Sequence, residues 1–418
     1  TALKANTTGV SNSAFGREAL FDNTTGGNNS AHGHQALANN TTASNNTAVG
    51  SQSLKANTTG THNTSIAHNS MTANTTGSHN TAIGQGALHS STTAINNTAL
   101  GRAALTSNTT GFNNTSVGYY SLLSNTTASN NTAVGGDALG ANTTGENNTS
   151  GGQVSLYNNT TGGTNTAFGR ASMYANTTGS ANTAVGVDSL TANTTGTHNT
   201  AVGKSAGGGI TTGTNNTILG HLAGNNNGAL TTGAANVLLG SYCDTNNVNG
   251  QNQIAIGYDV TCVGNNYITV GKGHNSADRI YNQFTSNATW TRTSDERIKK
   301  DIATNTDCGL DFINDLRTVT YKFKAPSEYD ATMHSYKATE TEPSYDKKMY
   351  GFIAQEVKAA LDTHNISDFE GWHQIDDAKQ DNMQGISYEM FVMPLVKAVQ
   401  ELSAKNAALE ARLTALEA

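Results

Sequence analysis

From Thr1 to Thr217 the large apolar residues fall on a fixed grid of 17 residues. Leu3, Leu20, Leu37, Leu54, Met71, Leu88, Leu105, Leu122, Leu139, Leu156, Met173 and Leu190 mark one position of that grid. Polar positions keep the same step. Asn-Thr-Thr begins at Asn6, Asn23, Asn40, Asn57 and Asn74, gives way once to Ser91, and returns from Asn108 to Asn193. A second Asn recurs from Asn12, Asn29 and Asn46 to Asn216, and the unit reads NTTGxxNTAVGxxALxA. Helix-pair repeats need roughly 33 residues or more, so this period is too short for them. In "NTAVG", strand alternation puts Thr47 and Val49 on one side and Ala48 on the other. Two short extended stretches per unit, each ending near Gly or Asn, predict one coil of a parallel β-solenoid or β-roll. Stacked coils align the Leu positions as an apolar ladder.

The glycines differ in strictness. Gly50, Gly84, Gly101, Gly118 and their equivalents are replaced once, by Ala67, which predicts close backbone approach or positive φ. The Gly after Thr-Thr becomes Ala43, Ala94 and Ala128 and marks a less demanding turn. After Thr217 the period breaks: "ILGHLAGNNNGALTTGAANVLLG" has a longer unit and "NQIAIGYDVTCVGNNYITVGKG", 252–273, a shorter one. Each coil offers about two large apolar side chains. At roughly 1.5–3 kcal/mol per buried aliphatic, these scarcely offset ordering the coil at about 1–2 kcal/mol per residue. A lone shaft is therefore expected to be marginal, and association of several chains is expected to bury a second face. With ~4.8 Å per coil, the shaft is a rod of about 60 Å.

Composition then changes abruptly. Residues 1–290 carry 8 acidic and 8 basic groups; the remainder carries 22 and 15, so the whole net charge of −7 sits there. All three prolines and both tryptophans lie in that last part too. Three divisions are expected: a repeat shaft over 1–220, an irregular roll and junction over 221–290, and a separate module over 291–418 with a coiled coil over 395–418. No basic patch points to nucleic acid, and no apolar run of about 18 residues points to membrane insertion. The chain begins inside a repeat, so it is expected to be the C-terminal portion of something longer. Cys243, Cys262 and Cys308 form no CxxC pair and read as small buried residues. Histidines such as His32, His34, His62, His68 and His79 sit at variable repeat positions and read as solvated, so no metal and no cofactor is expected. The Asn-Thr-Thr triplets are glycosylation sequons, but their regularity favours turns and hydrogen-bond ladders. Paired carboxylates for glycan hydrolysis are not expected on so thin a rod.

Three stretches of the last part carry a resemblance: "SDERIKKDI" at 294–302, "YGFIAQEV" at 350–357 and "ISYEMFVMPLVKAVQEL" at 386–402. Together they resemble the self-cleaving intramolecular chaperone that ends phage endosialidases, tail fibres and neck appendages. The stretch 252–273 resembles the head repeats of trimeric bacterial adhesins, a parallel β-roll in a homotrimer. The first resemblance implies that Ser294 is a nucleophile, Lys299 its general base, and Thr293–Ser294 the bond cut. A serine hydroxyl needs a neighbour to take its proton. A lysine in water, with pKa about 10.4, is too protonated to do so, whereas burial disfavours the ammonium. Assembly would then switch the base on. By themselves Ser294, Asp295 and Glu296 also read as a helix N-cap with an acidic first turn, and both roles are compatible. At the end, Val399, Leu402, Asn406, Leu409, Leu413 and Leu416 step 3, 4, 3, 4, 3 as an a/d seam. The seam leaves strand number open; three comes from the resemblance.

The expected fold is mainly β, a homotrimeric parallel β-solenoid shaft followed by a small α+β chaperone ending in a coiled-coil helix. The expected function is a viral tail fibre or receptor-binding appendage, made in the host cytoplasm and placed on the virion. Its partners would be two further copies, a host-surface receptor of glycan type, and the rest of the tail through the region before Thr1. Its only enzymatic act would be a single self-cleavage. Alternatives are a bacterial surface adhesin or extracellular filament subunit using the same module, and an ice-binding solenoid, which thermal hysteresis would reveal. We predict that residues 1–293 made without the module yield no stable folded monomer; light scattering and circular dichroism showing one would remove the argument for association.

Overall fold

The computed structural model describes residues 1–225, 230–273, 279–283, 291–292, 299–331, 336–343, 346–374 and 384–417. It divides into two compact units, Thr1–Ile298 and Lys299–Ala418. The first is a β-solenoid. Strand Ser13–Phe15 pairs in parallel with Ser30–His32, and each later strand pairs with the one 17 residues on, down to Thr200–Val202 against Thr217–Leu219. The longer and shorter units are absorbed without breaking the sheet: Thr217 pairs with Val237, Val237 with Ile254, and Ile254 with Ile268. Among the described residues sixteen strands run parallel in this way. The last of them, Tyr267–Lys272, then pairs antiparallel with Arg279–Gln283, which pairs antiparallel with Thr291–Arg292.

Inside each coil the Leu position is fully buried, from Leu20 to Leu190 with Met71 and Met173 among them. It faces two small residues, such as Ala48 and Ser53, and two asparagines, such as Asn40 and Asn46, all buried. Only one of the two large apolar residues per coil is therefore interior. The other ends each strand on the outer face, and Val49 there is 38 % exposed. Where a strand carries Ser in place of Ala, at Ser65, Ser116 and Ser150, the facing position is also Ser, at Ser70, Ser121 and Ser155. Ser65 Oγ donates to the Ser70 carbonyl at 2.9 Å and Ser116 Oγ to the Ser121 carbonyl at 2.9 Å, so these buried hydroxyls are satisfied.

The interior Leu is held at an unusual backbone angle. Leu20, Leu54, Leu88 and Leu122 take φ of 50°, 52°, 49° and 49°. A side chain in this left-handed region costs of order 1–3 kcal/mol, about what burying a Leu returns. The strict glycine is demanding on both expected grounds. Gly50 has φ +129°, and an added Cβ would lie 2.6 Å from the Ala67 carbonyl carbon. Ala67, the single exception, is forced to φ 110°.

What the apolar core lacks, the asparagines supply. Asn40 Nδ2 donates to Asn23 Oδ1 in the preceding coil at 2.8 Å and to the Ala43 carbonyl of its own turn at 3.0 Å. The second set bonds differently: Asn29 Oδ1 accepts the Asn46 backbone N–H at 3.0 Å, while Asn46 Nδ2 donates to the Gly60 carbonyl at 2.9 Å. Thr24 Oγ1 donates to the Thr41 carbonyl at 3.0 Å. The triplet asparagines are buried from Asn23 to Asn193, so a glycan on them is sterically excluded in the folded shaft.

The first ladder breaks twice. At Ser91 the side chain is too short, and Asn74 Oδ1 and Ser91 Oγ are left buried without partners. At Ile210 the Asn is replaced by an aliphatic, which strands Asn193 Oδ1. The second break belongs to a rearranged core. Gly207 and Gly224 replace the Leu, while Ile218 and Leu238 replace the strand Ala. A Cβ at Gly207 would meet Leu190 Cδ2 at 3.0 Å and Ile218 Cδ1 at 3.1 Å, so the vacated space is filled from the opposite wall. Volume is conserved, as well-packed interiors require.

The second unit is small and mixed. Helix α1 (Leu310–Asn314) precedes a hairpin-like pair, Val319–Tyr321 against Met349–Gly351. Helix α2 (Ala354–Thr363) follows, then Trp372–Gln374 paired with Gln384–Ile386. A 3₁₀ turn at Tyr388–Phe391 leads into α3 (Val392–Glu417), 26 residues long. The core is Phe312, Val357, Leu361, Ile366 and Phe391, with Phe352, Phe369 and Trp372 packed against it.

We predict that Ser91→Asn completes the first ladder and stabilises the shaft by about 0.5–1.5 kcal/mol. Chemical denaturation of the full chain checks this, and no gain would mean that the stranded Asn74 oxygen costs nothing.

Candidate functional site

Thr293 and Ser294 lie outside the described residues, so the geometry of the expected dyad does not enter. The described backbone stops just short of them. Thr291 and Arg292 pair with Tyr281 and Ile280, and this last described strand of the shaft unit precedes Thr293 in the chain. Lys299 opens the second unit with its side chain exposed in the single chain. Lys300 and Asp301 beside it are also exposed, and Asp301 takes φ +53°.

The other two motif stretches are brought together by the fold. Tyr350 lies in a strand, Phe352 packs on the core, and Ala354 starts α2, whose Val357, Ala360 and Leu361 are buried at i, i+3 and i+4 spacing. Tyr388, from the third stretch, accepts the Phe352 backbone N–H on its hydroxyl at 3.0 Å. Phe352 and Phe391 rings meet at 5.2 Å between centroids, and Phe369 and Phe391 at 5.1 Å. Both motif stretches therefore contribute to one aromatic core.

Polar contacts fix the surrounding elements. Arg317 forks onto Glu356, with Nε to Oε2 at 3.0 Å and a second bond to Oε1. That guanidinium holds the Glu356 carboxyl below its ordinary value. His364 Nε2 meets Asp315 Oδ2 at 2.7 Å. Glu401, on α3, accepts the Leu310 backbone N–H at 2.8 Å and so satisfies an orphan donor at the start of α1. This bond, with help from Lys397, depresses the Glu401 carboxyl below its ordinary value. Glu401, Arg317 and Phe312 were not singled out in the sequence. Glu401 sits 91 residues from its partner, and no local spacing signals such a contact.

The a/d seam falls wholly within α3 and is solvent-facing in the single chain. Val399 is 64 % exposed and Leu416 83 % exposed, with Leu402, Leu409 and Leu413 between them also exposed. Asn406 is exposed on the same helix. Near its start, Val392, Leu395, Val396 and Val399 line an open apolar groove. The cysteines are buried thiols: burial pushes Cys262 up to about 12 and raises Cys243 and Cys308 as well. Thiolate chemistry is thereby disfavoured. Among the described residues no helix is long and apolar enough to cross a membrane.

Residues 294–366 match the sequence model of the family described as chaperone of endosialidase. The match begins at Ser294, includes the first two motif stretches and ends just after α2. No curated protein matches the chain.

The Glu401 contact gives a signed expectation. Because folding lowers its pKa, its contribution is complete above about pH 4.3 and is lost as pH falls through the lower folded value. Glu401→Gln is predicted to lower the melting temperature of the module at neutral pH and to leave it nearly unchanged at about pH 2. Near-UV circular dichroism melts check this; an equal loss at both would show that charge plays no part.

Proposed function

We propose, from an endosialidase-type chaperone domain behind a shaft of 17-residue coils, that this chain is a homotrimeric phage tail fibre or receptor-binding appendage. The observation that carries the reading is the apolar seam of α3, left uncovered in the single chain behind a domain of chaperone type. Leu and Val at a and d positions are not stable in water over three heptads; they call for like helices. The shaft carries a matching feature. Register aligns Val49, Ile66, Ile83, Leu100, Val117 and Val134 as an outward apolar rail. A partner that follows this rail must share the same pitch, and a second copy of the chain does. The module brings chains together by their helices, and the rails then zip in register.

Assembly is coupled to release. Ser294 Oγ attacks the Thr293 carbonyl carbon as Lys299 takes the hydroxyl proton. The C–N bond breaks, the proton passes to the departing Ser294 amine, and the acyl group rests on Oγ as an ester. Water then hydrolyses the ester, giving a new carboxylate at Thr293 and restoring the serine. The exposure of Lys299 in the single chain supports the coupling, since burial comes to it only when further chains pack around it. Packing between chains would desolvate it. The mature fibre ends at Thr293, is made in the host cytoplasm, sits on the virion, and meets a host-surface glycan through its shaft.

Denaturing gels are expected to show two bands for the wild-type chain, cut between Thr293 and Ser294, and one for Ser294→Ala or Lys299→Ala. Full processing by both variants would remove the dyad; a wild type that forms trimers without cleavage would leave the chaperone and discard the protease.

A further inference from the structure

Resting on the reading of the shaft as a surface-binding fibre, we propose that Arg102, Tyr119, Tyr120, Gly136 and Asp137 form a site for a neutral pyranoside. The coils hold their core nearly constant and concentrate their charge at one corner. That corner is the pair of residues after the strict glycine. From Thr1 to Gly220 there are eleven charged residues, and seven of them stand at these two positions: Arg17, Arg102, Arg170 and Lys204 at the first, Glu18, Asp137 and Asp188 at the second. In repeat architectures the face that varies over a constant frame is commonly the binding face.

Three successive coils make this corner a site. The Arg102 guanidinium lies 5.7 Å from the Tyr119 ring centroid and 5.6 Å from that of Tyr120. The two rings lie 3.8 Å apart at 33°, and Tyr119 is 46 % exposed. One coil further on, where neighbours bear Tyr119 and Gln153, the chain has Gly136. An added Cβ there would meet nothing nearer than the Tyr119 carbonyl oxygen at 4.0 Å, so the rung is open. The levels of Tyr119 and Gln153 are two coils apart, about 9–10 Å. Tyr119 and Tyr120 stand one coil before this gap, Asp137 beside it in the chain and Gln153 one coil after.

The chemistry fits a sugar ring. The polarised C–H bonds of a pyranose face lie against an aromatic ring, and adjacent hydroxyls donate to a carboxylate such as Asp137. Gln153 and Arg102 supply further donors. Charge decides between sugar classes. Arg102 and Asp137 carry opposite charges on the same corner two coils apart, and Arg170 pairs with Asp188 at 3.1 Å, so the corner offers no net positive charge for an acidic sugar. Arg102 already occupies the place over the rings that a quaternary ammonium would take. The corner also lies beyond the bend at Gly118 and Gly135, with φ of +140° and +141°, which turns the chain away from the apolar rail.

The test presents the full chain with immobilised neutral oligosaccharides, sialylated oligosaccharides and phosphocholine. Retention on neutral sugars is expected. Tyr119→Ala should weaken it at least tenfold, and Gly136→Gln should do the same by filling the rung, since Gly136 lies outside the left-handed region and tolerates a side chain. Tyr174→Ala, which removes a ring stacked on Tyr157 at another position of the coil, should change nothing. Unchanged circular dichroism melts for Gly136→Gln separate loss of the site from loss of the fold. The site is overturned by a preference for sialylated sugars or phosphocholine, or by neutral binding that survives both corner variants. Wild-type chain that cleaves itself and adsorbs to host cells yet ignores every neutral sugar overturns the site and leaves the fibre reading intact.

Discussion

The shaft depends on hydrogen bonds that run from coil to coil. Backbone pairing continues beyond the three-residue strands, as where Leu20 N–H donates to the Ala36 carbonyl at 3.0 Å and Gly33 N–H to the Phe15 carbonyl at 2.8 Å. The asparagine amides extend the ladder through the interior, one set joining side chain to side chain and the other joining side chain to backbone. In a thin interior with low dielectric, these bonds are stronger than at a surface, and an unmet partner is correspondingly costly. The second ladder persists where the unit lengthens: Asn236 Nδ2 donates to Asn216 Oδ1 at 2.9 Å across a 20-residue coil, so extra residues are taken up elsewhere in the turn while the amides stay in register.

The left-handed Leu follows from the same geometry. The coil must turn sharply after the strict glycine and still send a large side chain inward, so strain is accepted where Gly would leave a hole. Gly207 and Gly224 show the alternative: the strain is relieved, and Ile218 and Leu238 supply the lost volume. Strain and burial are of similar size in the regular coils. A single shaft consequently has little apolar free energy to spare, while an outer apolar rail and the seam of α3 stay exposed in the single chain.

The coil, its period, the Leu ladder and the role of asparagine as an internal hydrogen-bonding residue were legible because each repeats many times. The alternation in "NTAVG" was legible too, but not which side faced in. Only packing reveals that Ala48 is interior and Val49 outside, and hence that one large residue per coil is buried. The positive φ at Leu122 and its equivalents has no sequence signature, since Leu is among the last residues expected there. In the module, the seam and the amphipathic α2 were readable from spacing. The contact of Glu401 with Leu310 was not, because it joins distant segments through a carboxylate that any helix surface might carry. The expected nucleophile and scissile bond rest on the motif and on the match at 294–366.

The reversal of strand direction at the end of the shaft has its own consequence. A parallel solenoid ends in an unpaired strand, and such an edge templates addition of further strands. Here Arg279–Gln283 and Thr291–Arg292 fold back across it in the opposite sense. Among the described residues the last edge of the sheet is therefore a two-residue antiparallel strand, a poorer template for a further parallel strand than the edge of Tyr267–Lys272 that it follows.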